Sequence, residues 1–420
     1  MVESRNPSGP SLLSLPLLVL EGIAEALCPH CTEDVEFCPW KTPVHYFGDQ
    51  RRLMNSTRAL ANLAATCRTL YDIANPILYH QPQGWSERRL ALFRTLAKRP
   101  ELARRVKVLR LDHDDGMYEF PEDEEDKAFV LDLAARHGWT DALQAAFCVE
   151  NGLRPEFWDD KGAMDLLTSL LIAMCPNVET LSTGVGYHAL FMLLQPATLP
   201  RLKDVYVTHI DTEMGTYLGS FNRLYLAAPN IEMFTGAMTA GVGREDLPVG
   251  NVRDLLLDWS CITAGCLRTL LRSCPQLESF EYHAGGPTVG DNQFSPESAR
   301  KLLLRYAPKL KHLHMDLRDG YDMLDWGDED DEDDGSDPEP APGFASFSCL
   351  ETLTVDPGML DDWDTQQPVA TLFPQSLRSL KLLRAYPRSG AKLTDDKFKA
   401  FASTARDLLP NLQHVDFANE

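Results

Sequence analysis

The chain has 420 residues, 44% of them apolar, enough to bury a sizeable core. Forty basic against sixty-two acidic residues leave a net charge of -22, which argues against a duplex-DNA binder, because such a protein needs a basic patch to displace counterions, and against docking on an anionic membrane surface. No apolar run is long enough to cross a bilayer, and the ten cysteines are scattered rather than arranged as a disulfide framework, which points to a reducing compartment, the cytoplasm and/or the nucleus.

Residues 1–11 form a Pro/Gly/Ser-bearing polar tail, expected to be disordered. Next comes Ser14-Leu15-Pro16-Leu17-Leu18-Val19-Leu20-Glu21-Gly22-Ile23, where Pro16 suits the start of a helix and Leu20, Ile23 and Leu27 repeat at helical spacing. The apolar stretch from Leu12 to Leu20 mimics a secretory leader, but Glu3 offsets Arg5 and Glu21 interrupts the approach to a cleavage site. Residues 28–55 read as an insert rich in Cys, Pro, His and aromatics. Within it Cys28-Pro29-His30-Cys31, with Cys38 and His45 nearby, is the best metal candidate. Two thiolates two residues apart can grip one zinc, and a third thiolate with an imidazole would close a tetrahedron. The alternative is a set of reduced packing cysteines. From Ala59 to Tyr71 the helical spacing returns in Leu60, Leu63, Cys67 and Leu70, followed by Asn75-Pro76-Ile77-Leu78-Tyr79-His80.

Trp85 to Lys98 is amphipathic, with Leu90, Phe93, Leu96 and Ala97 on one side and Pro100 expected to end it. Two acidic runs, Glu119–Asp126 and Asp325–Pro340, have no apolar face and are expected to be solvated loops, the second within a disordered loop at about 321–343. Between and around them one frame recurs, apolar-x-x-apolar-x-apolar. Clear copies begin at Val106, Leu202, Val252, Leu277, Leu310, Leu350, Leu377 and Leu412. Weaker copies begin at Val178 and Ile231, with a small residue in the last slot. Most lie roughly 21–40 residues apart. Five are preceded by a proline step, at Pro176, Pro229, Pro275, Pro308 and Pro410, which stops a helix and turns the chain into the next strand. The intervening segments have helical periodicity, as in Leu267, Leu270, Leu271 and Cys274. A single strand–helix unit cannot bury its apolar face alone, but stacked neighbours do. Gly184-Val185-Gly186-Tyr187-His188-Ala189 matches a dinucleotide fingerprint in outline, yet Pro196 cuts its helix short, and a tight turn explains both glycines. No nucleophile elbow, phosphate-binding loop or metalloprotease helix is present, so no catalytic group is assigned.

The two N-terminal segments together resemble the F-box, an L-P pair and a Val/Ile-Leu-x-x-Ile helix followed by a Leu-x-x-Leu-x-x-x-Cys-Arg helix. They depart from it by the insert and by Leu18, where the family usually has an acid. The recurring frame resembles a degenerate leucine-rich repeat. The resemblance is to fungal F-box proteins with such repeats. It implies an α/β chain in which a small helical F-box over 12–80 precedes an irregular leucine-rich-repeat solenoid with a curved parallel sheet over 86–420. It further implies the substrate-recognition subunit of an SCF-type E3 ubiquitin ligase, a non-catalytic receptor that docks on a Skp-type adaptor and cullin and holds a target protein, with no nucleic-acid or membrane partner. Leu15, Pro16, Val19, Leu20 and Ile23 would contact the adaptor from the first helix, and Leu63, Cys67 and Leu70 from the second half. The alternative is a leucine-rich-repeat interaction scaffold without a ligase link.

Overall fold

A computed structural model describes residues 12–32, 43–82, 89–111, 124–139, 168–185, 191, 193–209, 215–243, 245–285, 293–318, 343–360, 369–383, 401, 405 and 407–417. The tail at 1–11 and the acidic loop expected at 321–343 fall almost wholly outside these residues, as do Gly186 to Ala189. The chain divides into two compact units, Met1–Arg110 with Met174–Thr180, and Leu111–Ala173 with Leu181–Glu420.

The first unit is largely helical. A short 3-10 turn, Leu12–Ser14, leads into α1 (Leu17–Ala26), whose N-cap is Pro16. With no N–H of its own, Pro16 opens the helix through its carbonyl, which accepts from the Val19 and Leu20 amides at 2.9 and 3.2 Å. Helix α2 (Pro43–Thr66) is followed by α3 (Arg68–Leu78). The segment 59–71, expected as one helix, is therefore broken at Cys67, which is extended at φ -163°, ψ 167° and caps α3. The Thr66 hydroxyl bonds back to the Leu63 carbonyl at 2.8 Å, closing the last turn of α2. The insert expected over 28–55 is not separate in its second half, because α2 starts at Pro43 and runs on without a break. Leu20, Ala24, Cys28, Leu60, Ala64, Leu70, Ile73, Ala74 and Ile77 make one core, with Leu27, Cys31, Leu63, Cys67 and Leu78 packed against it. Helix α4 (Arg89–Lys98) buries Phe93 and Leu96. Pro100 does stop it, but also opens the single-turn helix α5 (Pro100–Ala103) from position N1. Strand β1 (Val108–Leu111) follows. The 80–107 segment of this unit is tied back on itself: the His80 carbonyl accepts from the Lys107 and Val108 amides at 2.8 and 2.9 Å.

The second unit is α/β and is built on a large parallel sheet. Its strands are β2 (Thr180–Val185), β3 (Asp204–His209), β5 (Met233–Ala237), β7 (Asp254–Ser260), β8 (Ser279–Ala284), β9 (His312–Asp316), β10 (Thr352–Val355), β11 (Ser379–Leu382) and β12 (His414–Phe417), lying side by side in that order. A small separate pair holds β4 (Thr216–Tyr217) and β6 (Thr239–Gly241). From β3 onward every pairing is parallel and keeps the recurring frame in step, so that Val205, Phe234, Leu255, Phe280, Leu313, Leu353, Leu380 and Val415 form one row across the sheet. All ten frames read from the sequence become strands, and the first residue of each is buried. Buried and half-exposed residues alternate along β3, β8 and β10, as a period of two requires.

The helices between strands are capped as their sequences suggest. Thr263 accepts from the Cys266 amide at the start of α8 (Ala264–Ser273), and Ser295 from the Ser298 amide at the start of α9 (Pro296–Tyr306). Ala228 after α7 (Asn222–Ala227), Cys274 after α8 and Ala307 after α9 share nearly one backbone conformation, each immediately before a proline. One expectation is corrected. The acidic run 119–126 does not end as a loop, since Glu124 begins α6 (Glu124–Arg136). Among the described residues no helix is long and apolar enough to cross a membrane.

Candidate metal centre and exposed first helix

Two features of the helical unit offer chemistry. The first is the outer surface of α1 and the residues before it. One face of α1 points inward through Leu20 and Ala24, with Ile23 half-buried. The first turn and the residues before it are apolar and open: Leu15 is 39% exposed, Leu17 58%, Leu18 79% and Val19 44%, with Leu12 and Leu13 also exposed, whereas further along α1 the exposed positions are Gly22, Glu25 and Ala26. Of the adaptor-contact residues expected from sequence, Leu15, Pro16 and Val19 lie on the surface, and Ile23, Leu63 and Cys67 are half-buried. Leu20 and Leu70 are sealed in the unit's own core, where they hold the helices together and present nothing outward.

The second feature is a Cys/His cluster at the end of α1. Cys28, His30, Cys31 and His80 each offer one ligand atom, all within 4.8 Å of one another. The turn after α1 sets the first three: Cys31 and Thr32 amides fold back onto the Cys28 carbonyl at 3.1 and 3.2 Å. Helix α3 delivers the fourth, just past its C-terminus. His80 Nδ1 lies 3.4 Å from Cys31 Sγ and 3.9 Å from Cys28 Sγ, and His30 Nδ1 lies 3.5 Å from Cys31 Sγ. With zinc bonds of about 2.3 Å to sulfur and about 2.0 Å to nitrogen, adjacent donors of a tetrahedron stand about 3.3–3.8 Å apart. For a sulfur–nitrogen pair that spacing is about 3.5 Å; the two Cys31 separations match it within about 0.1 Å and His80 to Cys28 is about 0.4 Å longer, so a Cys2His2 donor set can close on the ion with a small shift. The expected set was Cys28, Cys31, Cys38 and His45. Cys38 and the side chain of His45 lie outside the described residues, while His30 and His80 stand beside the two cysteines.

Burial, reinforced by the neighbouring Cys28, pushes the Cys31 thiol up to about 12. Burial, with the nearby His30, Lys107 and Arg105, lowers His80 to about 4, so its imidazole is neutral near pH 7 and has a lone pair to give. A bound divalent ion would invert the thiol's preference outright. Glu179 stands 3.7 Å from His30 Nε2 and is itself paired with Lys107. A carboxylate on the far nitrogen of a ligating imidazole fixes its tautomer and orientation.

No family model matches the sequence, and no curated protein does. Twenty-nine chains of solved structures match. One is a crystal structure of a Bacteroides fragilis protein, 13% identical with a TM-score of 0.32, over 57% of this chain and 65% of the bacterial one.

Proposed function

We propose that this chain is the substrate-recognition subunit of an SCF-type E3 ubiquitin ligase. Its N-terminal helices would dock on a Skp-type adaptor and so on a cullin. The strand–helix domain, a leucine-rich-repeat solenoid in this reading, would hold a target protein. The observation that supports the reading is the open apolar surface of α1, formed by Leu15, Leu17, Leu18 and Val19 on a helix whose opposite face is already core. A solvated helix carries polar residues outward. An apolar outer face has the chemistry of a surface completed by a partner.

Burying four such side chains is worth about 6–12 kcal/mol gross, at about 1.5–3 each. Association costs are of the same order, so removing two anchors abolishes binding. The receptor makes and breaks no bond; it supplies effective concentration and orientation. In the same reading Cys28, His30, Cys31 and His80 hold a structural zinc that pins the end of α1 to the end of α3 and fixes the presented face.

The test is affinity purification of the full chain from cells. The wild type is expected to carry the adaptor and cullin, and Leu15→Asp/Val19→Asp to lose both while keeping its circular dichroism. A wild type that brings no cullin, or a double variant that keeps it, refutes the ligase reading and leaves an interaction scaffold.

A further inference from the structure

Far along the chain, on the second unit, two strands bring together a donor set that the proposed function does not use. Glu281 and His283 are two residues apart on β8 and so share its outward, half-exposed face. The parallel register sets Glu281 directly beside His314 of β9, and His283 beside Asp316. His283 Nε2 lies 2.7 Å from Glu281 Oε1, and His314 Nδ1 lies 3.2 Å from the same oxygen. The two rings stand edge to face, with centroids 4.6 Å apart. Three ligand atoms thus fall within 4.8 Å of one another.

From these observations we infer that Glu281, His283 and His314 form a binding site for one divalent cation of the zinc type on the face of the parallel sheet. The spacing is the first argument. Donors at about 2.0–2.2 Å from one tetrahedral ion stand about 3.3–3.6 Å apart, so the His314–Glu281 contact already fits within about 0.1 Å, and the 2.7 Å His283–Glu281 contact opens by about 0.6 Å when a cation replaces the shared proton. The donor chemistry is the second. Two imidazoles and one carboxylate suit zinc, iron(II), cobalt or nickel, whereas magnesium and calcium demand all-oxygen shells. Direction is the third. His314 has no other polar anchor among the described residues, because its Nε2 is buried without a hydrogen bond. Its imidazole is therefore committed to the cluster.

The surroundings favour a cation. Both imidazoles already converge on one carboxylate oxygen, Glu281 Oε1, at 2.7 and 3.2 Å. Asp258 and Asp316 add negative charge near His283. Asp316 is already engaged by Arg318, at 2.9 and 2.7 Å, and serves as a fixed neighbour rather than a fourth ligand. The three side chains remain 28–37% exposed. Three protein donors and an open side leave coordination positions for water, or for an anionic or imidazole group of a bound protein.

The experiment is equilibrium dialysis of the full chain against zinc, with metal counted by atomic absorption, in the wild type and in His283→Gln/His314→Gln and Glu281→Gln. Each variant is expected to hold one equivalent less than the wild type. A cobalt(II)-loaded sample reports separately on the Cys28/Cys31 cluster through its thiolate charge-transfer band, which both variants should retain. Glutamine keeps side-chain bulk and polarity, and Glu281→Gln provides a second reading if the double variant melts early in EDTA. Equal stoichiometry in the wild type and Glu281→Gln, or a wild type whose metal is held entirely by thiolates, overturns the assignment.

Discussion

The placement of α1 can be tested by two substitutions two residues apart. Leu20 is 3% exposed in the core of the helical unit, whereas Leu18 is 79% exposed. Leu20→Ala removes three carbons from the core that Leu20 shares with Leu60, Leu70 and Ile73. Such truncations cost about 2–5 kcal/mol, the transfer of the lost atoms plus the cavity they leave. Leu18→Asp removes no core contact. It sits in the first turn of α1, which has no acidic residue, so the favourable interaction of a carboxylate with the helix N-terminus, about 0.3–1 kcal/mol, offsets the poorer helix propensity of aspartate. The net change should lie within about 0.5 kcal/mol. Native-state hydrogen exchange of the full chain, read by mass spectrometry over α1, α2 and α3, measures both. For Leu20→Ala the slowest amides should exchange about 30- to 4,000-fold faster, and for Leu18→Asp less than about threefold faster. Equal acceleration by the two changes would mean that α1 does not turn Leu20 inward, and the case for an outward apolar face would go with it.

Other consequences follow from the same packing. Zinc at a thousand times its dissociation constant should stabilise the Cys28/His80 cluster by about 4 kcal/mol; a melting temperature indifferent to zinc or EDTA in both wild type and Cys31→Ser would refute the structural-zinc reading. Gly236→Leu, which would complete the apolar frame of β5, should destabilise by about 1–3 kcal/mol, because a Cβ there meets Thr239 Oγ1 at 2.7 Å and Leu257 Cδ2 at 3.3 Å; urea denaturation decides it. Tyr282→Phe should cost about 1–3 kcal/mol by the same assay, since the fully buried hydroxyl donates to the Ser260 carbonyl at 2.7 Å and lies 2.8 Å from the Gln293 amide.

The strands were legible because one repeating constraint shaped each of them. A segment that enters the sheet must bury its first, fourth and sixth residues, so the frame survives wherever a strand does. One weak copy is explained by local filling: Gly236 is small because Thr239 and Leu257 occupy the space its side chain would take. What periodicity missed was the break at Cys67, since both flanking helices point apolar residues into one core and the stripe continues across the gap.

Neighbouring order was also written in the sequence, in the second residue of each frame rather than in the apolar slots. Reading along the first nine of the ten frames these are Lys107, Glu179, Lys203, Glu232, Arg253, Glu278, Lys311, Glu351 and Arg378, and the sign reverses at every step; the tenth frame has the neutral Gln413. In the structure Lys203 pairs with Glu232, Lys311 with Glu278 and Arg378 with Glu351. The Glu232, Arg253, Glu278, Lys311, Glu351 and Arg378 amides each donate to the carbonyl of the charged residue one strand earlier. Like charges in adjacent positions would repel, so the alternation itself selects chain-order pairing over skipped neighbours. The same alignment locates the sheet-face cluster. Glu281 and His314 each fill the fifth position of their frames, and parallel register makes fifth positions adjacent. His80 has no such key. It stands 49 residues from Cys31 and reaches it only because α3 folds back along α1, so spacing along the chain pointed to Cys38 and His45 instead. A site built within a repeat can be read by aligning the repeats, whereas one closed by a helix returning across a core is visible only after the core has formed.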